Sequence, residues 1–418
     1  MSQLYQKFKR YYNSYSIVIE NMSYITIFQV FTMLVPLITY PYLIRVLGAD
    51  LYGWVITAQI LVSYATLFID YGFRKVTARH ISVHRGDVDK LSEIVSAVTI
   101  VKMLLWVFAF VLYLLIIFII PSYKEHLLLF LITFGLTFNE LLFPQFYFQG
   151  IEKMKYITIL NILIKSVFVV LTFMFIDSKD DYILVPLFLT FGSILGGAIA
   201  FYIMFYQHKL SFMIPTKSTL KYYTKDATPV FCTDMICTIK DKLNYFLIGG
   251  MLSMGDVALY DLGSKIMNVV ARFVSVIGVA MFPRMSKDKN IRLFMKTGGL
   301  IIWLTVIIVV ILQLFLPFIV PFLYAEKVDL LPIRLYLLAP LFLEVSSYIS
   351  SNLFIAQGYN KYVLYSIIFT TIIYILILIV MWVGGYLSTV IAFVIMALAS
   401  YVVELLYRIY LAHKIISR

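Results

Sequence analysis

Charge is scarce in this chain. Asp, Glu, Lys and Arg make up 13% of its 418 residues, and apolar residues reach 62%; a soluble domain carries about a quarter charged residues. That balance excludes a conventional water-soluble fold. Cysteine is nearly absent. Cys232 and Cys237 lie five positions apart in one apolar run, a spacing that points them to different sides of a helix and favours neither a disulfide nor a metal site. The histidines, His80, His84, His126, His208 and His413, fall in loops or near chain ends. There is no Gly-x-x-x-x-Gly-Lys-Ser/Thr loop to hold a nucleotide. There is no His-Glu-x-x-His or Gly-x-Ser-x-Gly word for metal or nucleophilic catalysis. No cofactor, metal or catalytic centre is therefore expected. The first 15 residues are polar and aromatic, with Lys7, Lys9 and Arg10, and no cleavable leader is expected.

What the chain does contain is a series of apolar runs, each about 20 residues long, the length that crosses a bilayer as a helix. Backbone groups in lipid must be satisfied within the chain, which leaves helices or a closed barrel, and runs of this length without strict alternation select helices. Twelve spans are read: 20–43, 54–73, 93–120, 127–148, 157–176, 182–206, 227–250, 257–280, 298–320, 332–356, 362–383 and 386–410. An even number puts both termini on one side. With that side as the cytoplasm, 23 basic residues fall inside and only Arg45, Lys124, Lys179 and Lys327 outside. The bias gives an N-in, C-in orientation. It also accounts for the net charge of +12 without a nucleic-acid partner.

The halves of the chain echo each other. Gln149-Gly150, set in an aromatic and basic stretch that runs on to Lys153 and Lys155, recurs as Gln357-Gly358, 208 positions later. Gly48 and Gly255 are 207 apart, and Tyr52 and Tyr260 are 208 apart. The expected architecture is all-α: a polytopic membrane protein with a six-helix lobe over 1–206, a basic cytoplasmic linker over 207–225, and a second six-helix lobe over 226–418. Both lobes start on the same side, so the repeats are parallel. The two Gln-Gly pairs read as turns after the fourth helix of each lobe. Prolines interrupt several spans, among them Pro36, Pro41, Pro144, Pro229 and Pro340, and such interruptions suit helices that bend around a cavity.

Charges inside spans cost roughly 2.5–3.5 kcal/mol each at a helix centre, so they face protein or a wet cavity. In span eight, Asp261, Lys265, Asn268 and Arg272 form one stripe at spacings of 4, 3 and 4. Span seven carries Asp234, Thr238, Asp241 and Tyr245 at the same spacings. The two spans form a hairpin centred near Ser253, which places Asp241 level with Lys265 and Asp234 level with Arg272. Two readings stand side by side: ion pairs that let the hairpin insert, or a cavity wall in which Lys265 and Arg272 hold an anion. Lys102 and Lys165 have no acid three or four residues away and are read as isolated bases of a binding cavity. Arg45 either joins them or snorkels to the interface. Asp70 and Arg74 read as a structural pair. Glu140 and Glu344 read either as proton or cation relays or as hydrogen-bonded helix contacts. Asp234, Asp241, Asp261 and Glu140 are the candidates for cation coupling or ion pairing.

Several words in the chain resemble the polysaccharide flippases of the Wzx type, members of the multidrug/oligosaccharidyl-lipid/polysaccharide exporter superfamily. They are Pro41-Tyr42-Leu43-Ile44-Arg45-Val46-Leu47-Gly48 with Tyr52-Gly53; Asp70-Tyr71-Gly72-Phe73; Phe148-Gln149-Gly150-Ile151-Glu152-Lys153-Met154-Lys155; Gly255-x4-Tyr260; and Phe282-Pro283-Arg284-x-Ser286. The resemblance implies a bacterial inner-membrane protein that moves an undecaprenyl-diphosphate-linked oligosaccharide, an O-antigen or related repeat unit, to the periplasmic leaflet. It implies membrane lipids and polymerase and chain-length proteins as surroundings and partners. The bases within the spans, Arg45, Lys102, Lys165, Lys265 and Arg272 with Asn268, would then face the diphosphate or line the cavity. A cation-coupled multidrug-type exporter is the alternative within the superfamily. An integral-membrane enzyme is the alternative outside it, and it lacks a long outer loop or a catalytic cluster.

Overall fold

The computed structural model describes residues 2–288, 290–324 and 328–416. Lys289, Lys327 and Arg418, which were counted for orientation, lie outside them. The chain is 88% helical, with no strand among the described residues. The main helices are α1 (Ser2–Leu47), α2 (Ala49–Asp70), α3 (Phe73–Val83), α4 (Val88–Ile119), α5 (Met154–Phe175), α6 (Leu184–Tyr202), α7 (Lys217–Met251), α8 (Met254–Asp288), α9 (Ile291–Leu323), α10 (Ala339–Ile349), α11 (Asn360–Val383) and α12 (Val390–Ile416). The expected hairpin at Ser253 separates α7 from α8.

Among the described residues, eleven helices are long and apolar enough to cross a membrane. Twelve spans were expected, and the missing one corresponds to α7. This helix has 35 residues, ample length to cross, but Lys225, Asp226, Asp234, Lys240, Asp241 and Lys242 deprive it of a purely apolar window. Charge at that density requires protein or water against the helix, not lipid.

Proline acts differently at different spans. Pro36 and Pro41 sit inside the continuous α1. At Pro144 the chain breaks. Phe138–Leu142 ends there, and Gln145–Gly150 begins after Pro144 at φ −74° and ψ 73°. The break places Glu140 on one short helix and Phe146 on the next.

The chain divides into two compact units: Met1–Val46 with Ala58–Met235, and Leu47–Thr57 with Ile236–Arg418. α2 and α7 each contribute residues to both. In the first unit, Phe73, Ile81, Val95, Phe146, Phe148 and Met204 form a buried core. Gly150 belongs to it because a Cβ there would lie 2.6 Å from the Ile81 Cβ. The bare backbone lets Gln145–Gly150 lie against α3. Arg85 Nε donates to the Gly150 carbonyl at 2.8 Å, and its guanidinium pairs with Glu152 at 2.7 Å, holding that carboxyl below its ordinary pKa. The segment ahead of α7 is tied down by hydroxyls: Ser211 and Met213 donate their backbone N–H to Ser92 and Ser96 at 3.0 and 2.9 Å.

In the second unit, the opening turns of α2 pack on the start of α8. A Cβ on Gly53 would lie 2.0 Å from the Met254 carbonyl oxygen, so only glycine permits the approach. The Gly255 N–H donates to Asp50 Oδ1 at 3.0 Å. The Tyr52-Gly53 word is therefore the seat of α8. Gly358 adopts φ +88° between the π-helical Ser350–Ile355 and α11, the left-handed geometry that glycine supplies at helix ends.

Candidate functional site

In the first unit, the end of α2 builds a buried charge cluster. Asp70 closes α2, and Tyr71 and Gly72 turn the chain at φ 48° and 78°, so that Arg74 returns at i+4. Arg74 pairs with Asp70 at 3.9 Å and with Glu140 at 3.5 Å. Lys102, on α4, is 3% exposed. Its ammonium lies 3.3 Å from Asp70 Oδ1 and 3.1 Å from Glu140 Oε2, donates also to the Glu140 carbonyl, and stands over the Phe146 ring. The reading of Lys102 as isolated is thus corrected: its acids come from other helices, where sequence spacing does not look. Two carboxylates and two bases cancel, the condition under which ions are tolerated in a low-dielectric interior.

Asp234 is engaged elsewhere than expected. Both its oxygens accept from Lys75 at 2.8 Å, so its proposed pairing with Arg272 is corrected. About two helix turns nearer the start of α7, Asp226 accepts from Arg79 at 3.1 Å and pairs with His80 at 2.7 Å. Stacking of Tyr71 on Phe231, with centroids 4.3 Å apart, completes the seam between α3 and α7. Lys165 is half-buried on α5, and Arg45 is exposed in the last turn of α1.

In the second unit, a second buried cluster joins α7 to α12. Glu404 accepts from Lys240 at 2.8 Å and pairs with Arg408 at 2.8 Å. The Arg408 guanidinium also donates to the Ser366 hydroxyl and the Ser346 carbonyl, each at 3.0 Å. Asp241 stands 3.9 Å from Lys240, its side chain half exposed, so its pairing with Lys265 is also corrected. The Glu404–Arg408 pair was readable as an i, i+4 spacing in the last span but was not singled out.

The stripe on α8 is different in kind. Lys265 pairs with Asp261 one turn back on its own helix and lies over the Tyr52 ring at 5.6 Å. The Tyr245 hydroxyl donates to Asp261 at 3.3 Å. Asn268 and Arg272 are exposed. Asn268 donates to the Ser264 carbonyl at 2.8 Å, and among the described residues no acid pairs with Arg272. Burial therefore separates the intramembrane bases into two groups. Lys102 and Lys240 are buried with carboxylates. Lys265 and Arg272 are on a helix face that another molecule can reach, and a guanidinium there offers two parallel donors to a phosphate.

Long apolar helices, with most of their buried charges gathered in paired clusters, define an all-α polytopic membrane protein. Residues 18–289 match the family described as polysaccharide biosynthesis protein, and the chain belongs to that family. Two relatives, each named "Putative O-antigen transporter", come from Escherichia coli (strain K12), 25% identical over 267 residues, and Shigella dysenteriae, 26% identical over 258 residues. The matches cover 64% and 61% of this chain, and the chain spans 64% of the length of each relative. Among solved structures, the lipid II flippase MurJ in an inward closed conformation superposes with a TM-score of 0.75 at 16% identity, covering 92% of this chain and 86% of that one. An inward-facing multidrug resistance MATE family transporter of the MOP superfamily gives 0.63 at 16% identity, covering 92% and 96%. At such identities the likeness establishes the fold alone. The family and the fold bear out the resemblance read from the sequence.

Proposed function

We propose that this chain is a flippase: it carries an undecaprenyl-diphosphate-linked oligosaccharide from the cytoplasmic to the periplasmic leaflet of the bacterial inner membrane by alternating access. The two six-helix lobes, 1–206 and 226–418 around the linker 207–225, are the alternating elements, with both termini cytoplasmic. The observation that carries the reading is Arg272, an exposed guanidinium within the spanning stretch Met254–Val279, on one face with Asn268 and Lys265. A base that no carboxylate neutralises is costly in a span unless an anion visits it. A lipid-linked diphosphate is such an anion, and its tail can stay in the bilayer. The family's part in polysaccharide biosynthesis and the relatives' names support the saccharide. Lys265, Asn268 and Arg272 hold the diphosphate, and Asp261 orients Lys265. Lys102 has no such role, because Asp70 and Glu140 occupy it. An inside-negative potential favours outward movement of the anion by about 2.3 kcal/mol per charge per 100 mV.

Reconstitution tests the reading. Proteoliposomes holding a fluorescent undecaprenyl-diphosphate oligosaccharide should equilibrate it between leaflets, as measured by quenching from outside. Arg272→Ala should slow that exchange at least tenfold, the loss that follows from one charge-assisted contact of about 1.5–3 kcal/mol. An unchanged rate would remove Arg272 from the substrate path.

A further inference from the structure

The second unit contains a cavity of about 260 Å³ that the diphosphate contacts leave unused. α8, α9, α10 and the π-helical Ser350–Ile355 form its walls. Phe282, Tyr348 and other apolar groups line most of it, and four polar side chains join them: Ser275, Glu344, Ser347 and Ser351. Glu344 is 6% exposed and, among the described residues, has no hydrogen-bond or ion-pair partner. A carboxyl placed this way is costly unless something in the cavity engages it.

The hydroxyls indicate what that something is. Ser275 donates its proton to the Arg272 carbonyl at 2.9 Å, and Ser351 donates to the Ser347 carbonyl at 2.9 Å. The Ser275 oxygen is left as an acceptor, alongside the carboxylate, and the Ser351 oxygen, which already accepts from Asn352 Nδ2 at 3.0 Å, keeps one lone pair. The Tyr348 hydroxyl is spent on Thr297 and the Phe294 carbonyl, so that side chain presents its ring. The cavity therefore takes a ligand rich in donors with an apolar face. An anion would meet Glu344. A sugar ring, with several hydroxyl protons and a C–H face, fits both demands.

Position strengthens the argument. Ser275 follows Arg272 by three residues on α8, on the same side of the helix. Three residues rise about 4.5 Å along a helix, comparable with the step from a diphosphate to the sugar bonded to it. At roughly 30 Å³ per water, the cavity has room for a single sugar ring rather than an oligosaccharide. We infer that this cavity is the subsite for the first sugar of the lipid-linked saccharide, with Glu344 and the three serines reading its hydroxyls while Arg272 holds the diphosphate. The inference rests on the proposed transport reading. An alkylammonium would also supply donors, but it would sit one turn from Arg272, a like charge.

Two probes separate the claims: farnesyl diphosphate, and farnesyl diphosphate bearing N-acetylglucosamine. Binding to the full chain in nanodiscs is measured by tryptophan fluorescence. The sugar should tighten binding about tenfold, the worth of one or two hydrogen bonds. Glu344→Gln, and independently Ser347→Val, should abolish that increment and leave farnesyl diphosphate binding unchanged. Arg272→Ala should weaken both probes. If the sugar adds nothing, or if both cavity variants retain its increment, the subsite is overturned, and the transport reading survives provided Arg272→Ala still weakens both probes. If wild-type protein binds neither probe, both claims fall. Displacement of the sugar-bearing probe by n-propylammonium overturns the sugar assignment in favour of an amine.

Discussion

Replacing Lys102 with methionine tests whether an intramembrane base is structural. The side chain keeps its length and loses its charge. Asp70 and Glu140 are then left within a buried site, with Arg74 as their remaining base, 3.9 and 3.5 Å away and with a side chain 46% exposed. Lys102 is the better-buried partner, at 3.3 and 3.1 Å. Removing one member of a buried pair costs about 3–5 kcal/mol, because the other charge stays desolvated. The cost here belongs near 4 kcal/mol, since two acids lose a partner and Arg74 recovers part of the loss. A triple change, Lys102→Met with Asp70→Asn and Glu140→Gln, removes the stranded acids and should recover most of the stability. Unfolding of the purified protein in mixed micelles, titrated with SDS and followed by tryptophan fluorescence, measures both. Should Lys102→Met unfold within about 0.5 kcal/mol of wild type, the range of an inconsequential surface change, the cluster is not structural. Loss of transport at unchanged stability would return Lys102 to the substrate path.

Other outcomes follow from particular contacts. Glu404→Gln strands Lys240 and Arg408 together and should destabilise by about 3–5 kcal/mol in the same unfolding assay. Gly53→Ala sets a methyl against the Met254 carbonyl and should cost several times the ~1 kcal/mol of an ordinary Gly–Ala difference, seen as loss of folded protein in size-exclusion chromatography. His208, packed against Tyr147 at 3.0 Å and Lys153 at 3.3 Å, has its pKa lowered by burial and then by Lys153. Its folded form binds a proton less readily than its unfolded form, so stability should be held above its ordinary pKa of about 6.5 and decline as pH falls through that value. His208→Gln should flatten that part of the pH–stability curve.

The helices and the hairpin at Ser253 were legible because apolar run length is a local property of sequence. The Asp70–Arg74 pair was legible because i, i+4 spacing is fixed by the helix itself, whereas depth in the hairpin assigned Lys265 to Asp241 although Asp261 stands four residues before it. Lys102, Asp234 and Asp241 were not legible. Their partners lie on other helices, at separations of 32 and 38 residues for Lys102 and 159 for Asp234. Depth in the hairpin sets Asp234 level with Arg272, but Lys75 on α3 reaches it first. Gln149-Gly150 was read as a turn. The reason for its glycine, contact with Ile81, depends on a helix more than 60 residues earlier and was not visible. The cavity around Glu344 was equally hidden, since four helical segments contribute to it and only the carboxyl stands out in sequence.

The central claim is that Lys265 and Arg272 on α8 touch the substrate while Lys102 and Lys240, buried with carboxylates, hold the fold. Leaflet exchange of undecaprenyl-diphosphate oligosaccharide in proteoliposomes tests it most directly, with two variants compared at equal folded protein. Lys265→Ala with Arg272→Ala should abolish exchange, and the neutral triple variant at Lys102, Asp70 and Glu140 should sustain it. Exchange that survives the first pair of changes and is lost with the second would contradict the account.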